Sequence, residues 1–139
     1  MKKLFISTLI ISLLFISGCG KEETPNNPEP TIPTEEQTKI NTNDDVIGNK
    51  ELEEFSFTNS SLSYENGSST FETIVTNNSN NTTYLKEFKI IFKDNEGKEI
   101  VTLIGFVADN IGPNESKVIT TSVDEDLTQA TSIEYQVVR

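Results

Sequence analysis

Residues 84–107 read YLKEFKIIFK, DNEG and KEIVTLIGFV, and this stretch decides the fold. In its first ten residues Phe88, Ile90 and Phe92 fall on one face, and mostly charged side chains fall on the other. Strict alternation also places Lys86 on the apolar face. A period of two predicts a β-strand with one buried face.

A turn and a second strand follow. Asp94 begins and Gly97 ends the DNEG segment, which is typical of a type I turn with a glycine bulge. From residue 98 to residue 107, apolar side chains stand at both odd and even positions. A strand covered on both faces has this pattern, so we expect a hairpin whose second strand is central in its sheet.

Period-two patterns continue on both sides of the hairpin. In residues 70–77 we expect Phe71, Thr73 and Val75 to point inward. The segments with period-two patterns are rich in β-branched and aromatic residues, which favours strands over helices. The remaining patterns predict one or two short edge strands at 53–57 and 62–64, a strand at 117–123, and a last strand at 132–138 with Ile133, Tyr135 and Val137 inward.

Two further turns fit this arrangement. Residues 112–115 place Pro113 second and Asn114 third, which suits a type II turn. Residues 126–129 predict a single helical turn capped by Asp126. The predicted fold class is therefore all-β: a single small immunoglobulin-like antiparallel β-sandwich at residues 51–139, with six or seven strands and almost no helix.

Several of these segments resemble the FxLYD-type domain, a small immunoglobulin-like sandwich of bacterial lipoproteins and secreted proteins. The resemblance covers about residues 60–138 and implies the same sandwich. The sequence departs from the family pattern at Lys93 and Asn114. The family has no established catalytic residues, so the resemblance implies none here. It rests on residues 75–79 (VTNNS), 88–92 (FKIIF), 94–97 (DNEG) and 111–116 (IGPNES).

The N-terminus has the features of an export signal. Lys2 and Lys3 precede thirteen mostly apolar residues, 4–16. A helix of that length spans roughly 20 Å, too short for a hydrocarbon core of about 30 Å. Residues 1–18 are therefore predicted to be a signal peptide rather than a membrane span.

Residues 16–19, Ile-Ser-Gly-Cys, resemble the bacterial lipobox. The resemblance implies cleavage between Gly18 and Cys19 and a diacylglyceryl thioether on Cys19, the only cysteine of the chain. The lipid bilayer would then be a partner through the acylated Cys19, and the protein would lie on the extracytoplasmic face of a bacterial cell membrane. The alternative is an ordinary signal peptide that ends in an incidental cysteine.

Residues 19–50 have the composition of a disordered linker. They hold four of the five prolines (Pro25, Pro28, Pro30 and Pro33) among Thr, Asn and Glu. Such a segment buries too little apolar surface to offset the entropy of ordering. It is either a tether that lifts the domain from the membrane or a linker of unselected length.

Charge and composition exclude several functions. The net charge of −11 disfavours nucleic acid, which is bound through basic side chains. The chain has no histidine, and its one cysteine is Cys19, so His-activated nucleophiles and common zinc sites are not available. We predict no enzyme activity, no catalytic or metal-binding residues and no cofactor.

The predicted function is a non-catalytic binding or structural module of the cell envelope, whose partner is an envelope protein or the cell wall. The polar loop 77–83 is the best candidate recognition surface, unless it is only a soluble connection. The alternative function is cation or small-ligand sensing through acidic loops. The best candidate for a cation site is Asp124-Glu125-Asp126. The alternative is that these residues form a solvated loop.

Overall fold

The computed structural model describes residues 37–138, which form eight strands and one short helix. In chain order these are β1 (Lys39–Ile40), α1 (Asp44–Ile47), β2 (Lys50–Leu52), β3 (Phe55–Glu65), β4 (Ser68–Asn77), β5 (Thr83–Lys93), β6 (Glu99–Ile111), β7 (Ser116–Val123) and β8 (Ser132–Val138). No helix in this part of the chain is long and apolar enough to cross a membrane.

The strands form two antiparallel sheets. In sheet A the order is β1-β3-β4-β7, with β2 also paired to β3; in sheet B the order is β6-β5-β8. One buried core of side chains from both sheets fills the space between them. The predicted antiparallel sandwich is confirmed, and the described residues after 50 contain no helix.

Aromatic side chains dominate the core. Phe57 stacks on Tyr135 across the sandwich with ring centroids 3.9 Å apart, and Phe71 meets Phe92 edge to face at 5.5 Å. Such pairs add to the stabilisation from buried apolar area. The predicted inward faces of β4 and β5 are confirmed, since Phe71, Thr73, Val75, Phe88, Ile90 and Phe92 are all buried.

The hairpin turn is confirmed in detail. Gly97 donates its N–H to the Asp94 carbonyl at 3.0 Å, and Gly97 has a φ of +77°. The Asp94 carboxylate accepts the N–H groups of Glu96 and Lys98 at 2.9 Å each. Aspartate and glycine therefore fix the register of the β5–β6 pair, as their positions in the sequence predict.

Strict alternation fails near the start of β5. The β5–β6 register shifts between Leu85 and Glu87, so Leu85 and Phe88 are both buried while Lys86 is exposed. The prediction that Lys86 lies on the apolar face is wrong because this β-bulge changes the phase of the strand.

The predicted central position of β6 is also wrong. The central strand of sheet B is β5, and β6 lies at the edge. The second apolar face of β6 is not covered by other described residues, since Ile104 and Phe106 are 42% and 65% exposed.

The two short edge strands predicted at 53–57 and 62–64 are mostly one strand, β3, which is not at the edge. A register shift between Thr58 and Ser61 joins the two patterns, and Asn59 adopts a φ of +51° within it. The outer side of β3 is paired with β1 and β2.

Residues 39–50 are the largest departure from expectation. Their composition predicts a disordered linker, yet they form β1, α1 and the start of β2. Val46 is fully buried in the core, and Asn43 caps α1 by accepting the Asp45 N–H at 2.9 Å. The predicted disorder is wrong for these residues because buried contacts offset their ordering cost. Residues 1–36 lie outside the described part of the chain.

Candidate functional site

The predicted lipidation and cleavage residues, Cys19 and Gly18, lie outside the described residues. What the structure describes are the two ends of the sandwich, where the loops collect. The registers place the end of β4 beside the start of β7 and the start of β4 beside the end of β7. We call these the Asn77 end and the Asn41 end, after the buried asparagine in each.

At the Asn77 end, one side chain organises the polar loop. The Asn77 amide donates to the carbonyls of Asn81 at 2.8 Å and Ile111 at 2.9 Å, and its oxygen accepts the Ser79 N–H at 2.9 Å. Asn77 itself is fully buried. The predicted recognition loop is therefore an ordered structure whose first residue is internal.

The outer residues of this loop present uncharged polar groups. Asn78, Asn80, Asn81 and Thr82 are exposed. The predicted type II turn is confirmed beside them, because Glu115 donates to the Gly112 carbonyl at 3.0 Å and Asn114 has a φ of +58°. The Asn114 N–H also donates to the Asn77 carbonyl at 2.8 Å. Loop and turn thus form one surface.

An ion cluster borders this surface. The Lys117 ammonium lies 3.0 Å from both the Asp109 and the Glu115 carboxylates. Its hydrogen bond lowers the pKa of Asp109, while the Gly112 N–H is the main cause of the lowered pKa of Glu115. The two acids in turn raise the pKa of Lys117. The cluster stays ionised around neutral pH and carries one net negative charge.

At the Asn41 end, a second asparagine holds the loop between β7 and β8. The Asn41 amide donates to the carbonyls of Thr128 at 3.1 Å and Ala130 at 2.8 Å, and its oxygen accepts the Asn43 N–H at 2.8 Å. The loop it holds inserts Leu127 into the core, fully buried.

In the acidic loop at this end, Asp126 is already paired with protein groups. Asp126 pairs with the Lys39 ammonium at 2.7 Å and accepts the Thr128 N–H at 3.0 Å. These contacts, the lysine first, lower the pKa of Asp126 to about 2. A cation here would have to displace Lys39. Among residues 37–138 no three acidic, histidine or cysteine side chains are placed to hold a metal ion.

Residues 126–129 form a turn rather than a helical turn. Ala130 donates to the Leu127 carbonyl at 3.0 Å, and no helix is assigned there. Asp126 accepts the Thr128 N–H at 3.0 Å, but the predicted role as a helix N-cap is wrong because there is no helix to cap. The Leu127 N–H instead donates to the buried Ser69 hydroxyl at 2.9 Å, a contact that the sequence pattern did not indicate.

A cleft of about 240 Å³ opens between β2 and β8, lined by Lys50, Glu51, Leu52, Ile133, Glu134 and Tyr135. It is smaller than typical small-molecule sites, which begin near 300 Å³. Glu134 is paired with Lys93 at 2.6 Å, which lowers its pKa. No carboxylate in the described part of the chain is buried. The cleft therefore lacks the desolvated acid that carboxylate catalysis uses.

The sequence was compared with protein families, with curated proteins and with solved structures, and none of the three comparisons gave a match. The resemblance to the FxLYD-type domain stays a prediction. The function has to be inferred from the residues themselves.

Proposed function

We propose that this chain is a bacterial surface lipoprotein. A diacylglyceryl group on Cys19 would hold it at the extracytoplasmic face of the cell membrane, and its sandwich would serve as a non-catalytic binding or structural module of the envelope. The observation that carries the proposal is the Ile-Ser-Gly-Cys motif directly after the apolar run 4–16. Two acyl chains attach a protein stably to a membrane, whereas a single acyl chain does not.

The position of the domain supports a tethered arrangement. Lys39, the first strand residue of the described part, stands 20 positions after Cys19. Twenty residues reach at most about 70 Å when fully extended. Lys39 belongs to the Asn41 end, so the Asn77 end is the one farther along the domain from the chain's entry point. We propose that its exposed amides face the envelope partner.

The FxLYD-type assignment is part of the same proposal. Its motifs fall on β4, on β5, on the hairpin turn and on the type II turn. An asparagine at position 114 replaces the usual glycine, and its φ of +58° is a conformation that asparagine tolerates. This departure is therefore compatible with the family's turn.

Metabolic labelling with an alkyne analogue of palmitate tests the anchor. We expect label on the wild-type chain, none on Cys19→Ala, and normal label on the control Ser17→Ala, which keeps a small residue in the motif. An unlabelled wild type, or a Cys19→Ala chain labelled as strongly as wild type, would refute the lipoprotein assignment.

A photo-reactive amino acid at position 80 tests the recognition surface on intact cells. We expect it to capture one envelope protein or cell-wall fragment. The same group at position 124, at the Asn41 end, should not capture it. Equal capture from both positions, or none from position 80, would remove the Asn77 end as the binding surface.

A further inference from the structure

The free edge of sheet B has an unusual composition. In the described chain β6 pairs with β5 on one side and with no strand on the other. From Ile100 to Ala108 its nine residues include no charge. Edge strands of natural proteins are usually protected from pairing by charges, prolines or bulges.

Bulges protect only the two ends of this strand. The β5–β6 register shifts at Phe92/Lys93, opposite Ile100, and again at Leu85/Glu87, where Ala108 has a φ of +50°. Between these points Val101 to Phe106 follow a continuous register. This six-residue segment has none of the three protective features.

The same segment exposes large apolar side chains. On its outer face Ile104 is 42% exposed and Phe106 is 65% exposed. The chain carries a net charge of −11 and repels its own copies at long range. Electrostatic repulsion between two copies is therefore smallest where they meet through uncharged residues, such as those of this segment.

We propose that two copies of this chain associate by antiparallel pairing of their β6 strands. Antiparallel partners must lie on the same face of the combined sheet, so their residue numbers must sum to an even number. A two-fold axis that passes through Ile104 meets this condition. The segment paired about this axis contains both exposed apolar residues, Ile104 and Phe106. The axis places Ile104 against its own copy and Phe106 opposite Thr102 of the second copy.

No charged residue lies within the segment that this register pairs. The nearest charged residues of the strand are Glu99 and Asp109, and each lies beyond one of the two bulges, although the Glu99 carboxylate accepts the Thr102 hydroxyl at 2.7 Å. Asp109 is also paired with Lys117 at 3.0 Å, an ammonium group that it shares with Glu115. Residues 101–106 themselves carry no charge, and their pairing gives a six-stranded sheet β8-β5-β6-β6-β5-β8.

Disulfide trapping of the full chain, purified in detergent, tests this pairing. Directly opposed residues have Cα atoms about 4.5–5.5 Å apart, within disulfide range. We expect mild oxidation of Ile104→Cys to give at least five times more covalent dimer than Val118→Cys. Val118 is a matched control, since it is 62% exposed on the edge strand of the other sheet. The wild type, with Cys19 alone, gives the background.

A second pair of variants separates specific pairing from collision. In the Ile104→Cys chain, Phe106→Lys should reduce the dimer yield at least fivefold, and Val118→Lys should leave it unchanged. Circular dichroism confirms that all variants are folded. Equal trapping of Ile104→Cys and Val118→Cys would overturn the proposal. So would a dimer that survives Phe106→Lys, or trapping of Ile104→Cys only to other proteins.

Discussion

The two ends of the sandwich are built on the same hydrogen-bonding pattern. In each, a buried asparagine accepts the N–H two residues ahead and donates its amide to two backbone carbonyls. They differ in what the asparagine connects. Asn77 reaches carbonyls 4 and 34 residues away, whereas Asn41 reaches carbonyls 87 and 89 residues away.

This difference shows how each end depends on the chain. The Asn77 end is closed by neighbouring loops and presents uncharged amides to solvent. The Asn41 end is closed by residues 39–50, which we call the N-terminal segment. This segment holds the β7–β8 loop in place and brings Lys39 to Asp126. Residues 39–50 are therefore part of the folded domain, and Val46 belongs to its core.

Removing the residues before position 51 should cause the largest loss of stability. A chain beginning at residue 51 loses the buried Val46 and leaves the Thr128 and Ala130 carbonyls without Asn41. Burial of a valine is worth about 1.5–3 kcal/mol, and each orphaned buried group costs about 1–3 kcal/mol. We expect a loss of several kcal/mol in urea unfolding relative to a chain beginning at residue 37. Equal stability would mean that the N-terminal segment is dispensable.

Removing each asparagine compares the two ends directly. Asn77→Ala leaves two carbonyls and one N–H without their partner, so we expect a cost of about 2–4 kcal/mol. Asn41→Ala removes the same pattern from a slightly more accessible site, and we expect about 1–3 kcal/mol. Asn80→Ala, in the exposed part of the loop, is the control and should change little. A larger cost at Asn41 would reverse the expected order.

The smallest expected change in stability comes from the charge of Asp126 at the Asn41 end. The folded-state pKa of Asp126 is about 2, below the usual value of about 3.9 in an unfolded chain. Its contribution is therefore present above about pH 4 and is lost as the pH falls toward 2. Both partners are partly exposed, so the effect stays below about 1 kcal/mol.

Thermal unfolding of Asp126→Asn against wild type measures this contribution. The wild type should have the higher Tm at pH 6 and lose that advantage near pH 2. Asp124→Asn controls for removing one negative charge from the same loop. An advantage that persists at pH 2 would mean that Asp126 acts through packing rather than through its charge.

Local patterns in the sequence predicted the strands and turns well, because period-two burial and turn residues act within a few positions. They could not place β6 at an edge, since the alternation of apolar residues reports which faces of a strand are apolar and not how many strands pair with it. Composition predicts a linker for residues 39–50 because it averages them with the proline-rich residues 25–33 that precede them. A local signal was available there: Asn43 before Asp44-Asp45, then Val46-Ile47 and Gly48, is a capped helical turn.

The contact between Asn41 and the β7–β8 loop left no sequence signal, because it joins residues nearly the length of the domain apart. The residues of the two proposed binding surfaces divide in the same way. The amides of the 77–83 loop could be proposed from composition, while the free edge of β6 required the sheet order.

Intact mass spectrometry of the chain purified from bacterial membranes tests the central claim most directly. The account predicts a chain that begins at Cys19 and carries a diacylglyceryl group on that residue. The 20 residues from that anchor to Lys39 would then be the whole tether of the domain. A chain that retains residues 1–18, or one that begins elsewhere with an unmodified Cys19, would contradict it.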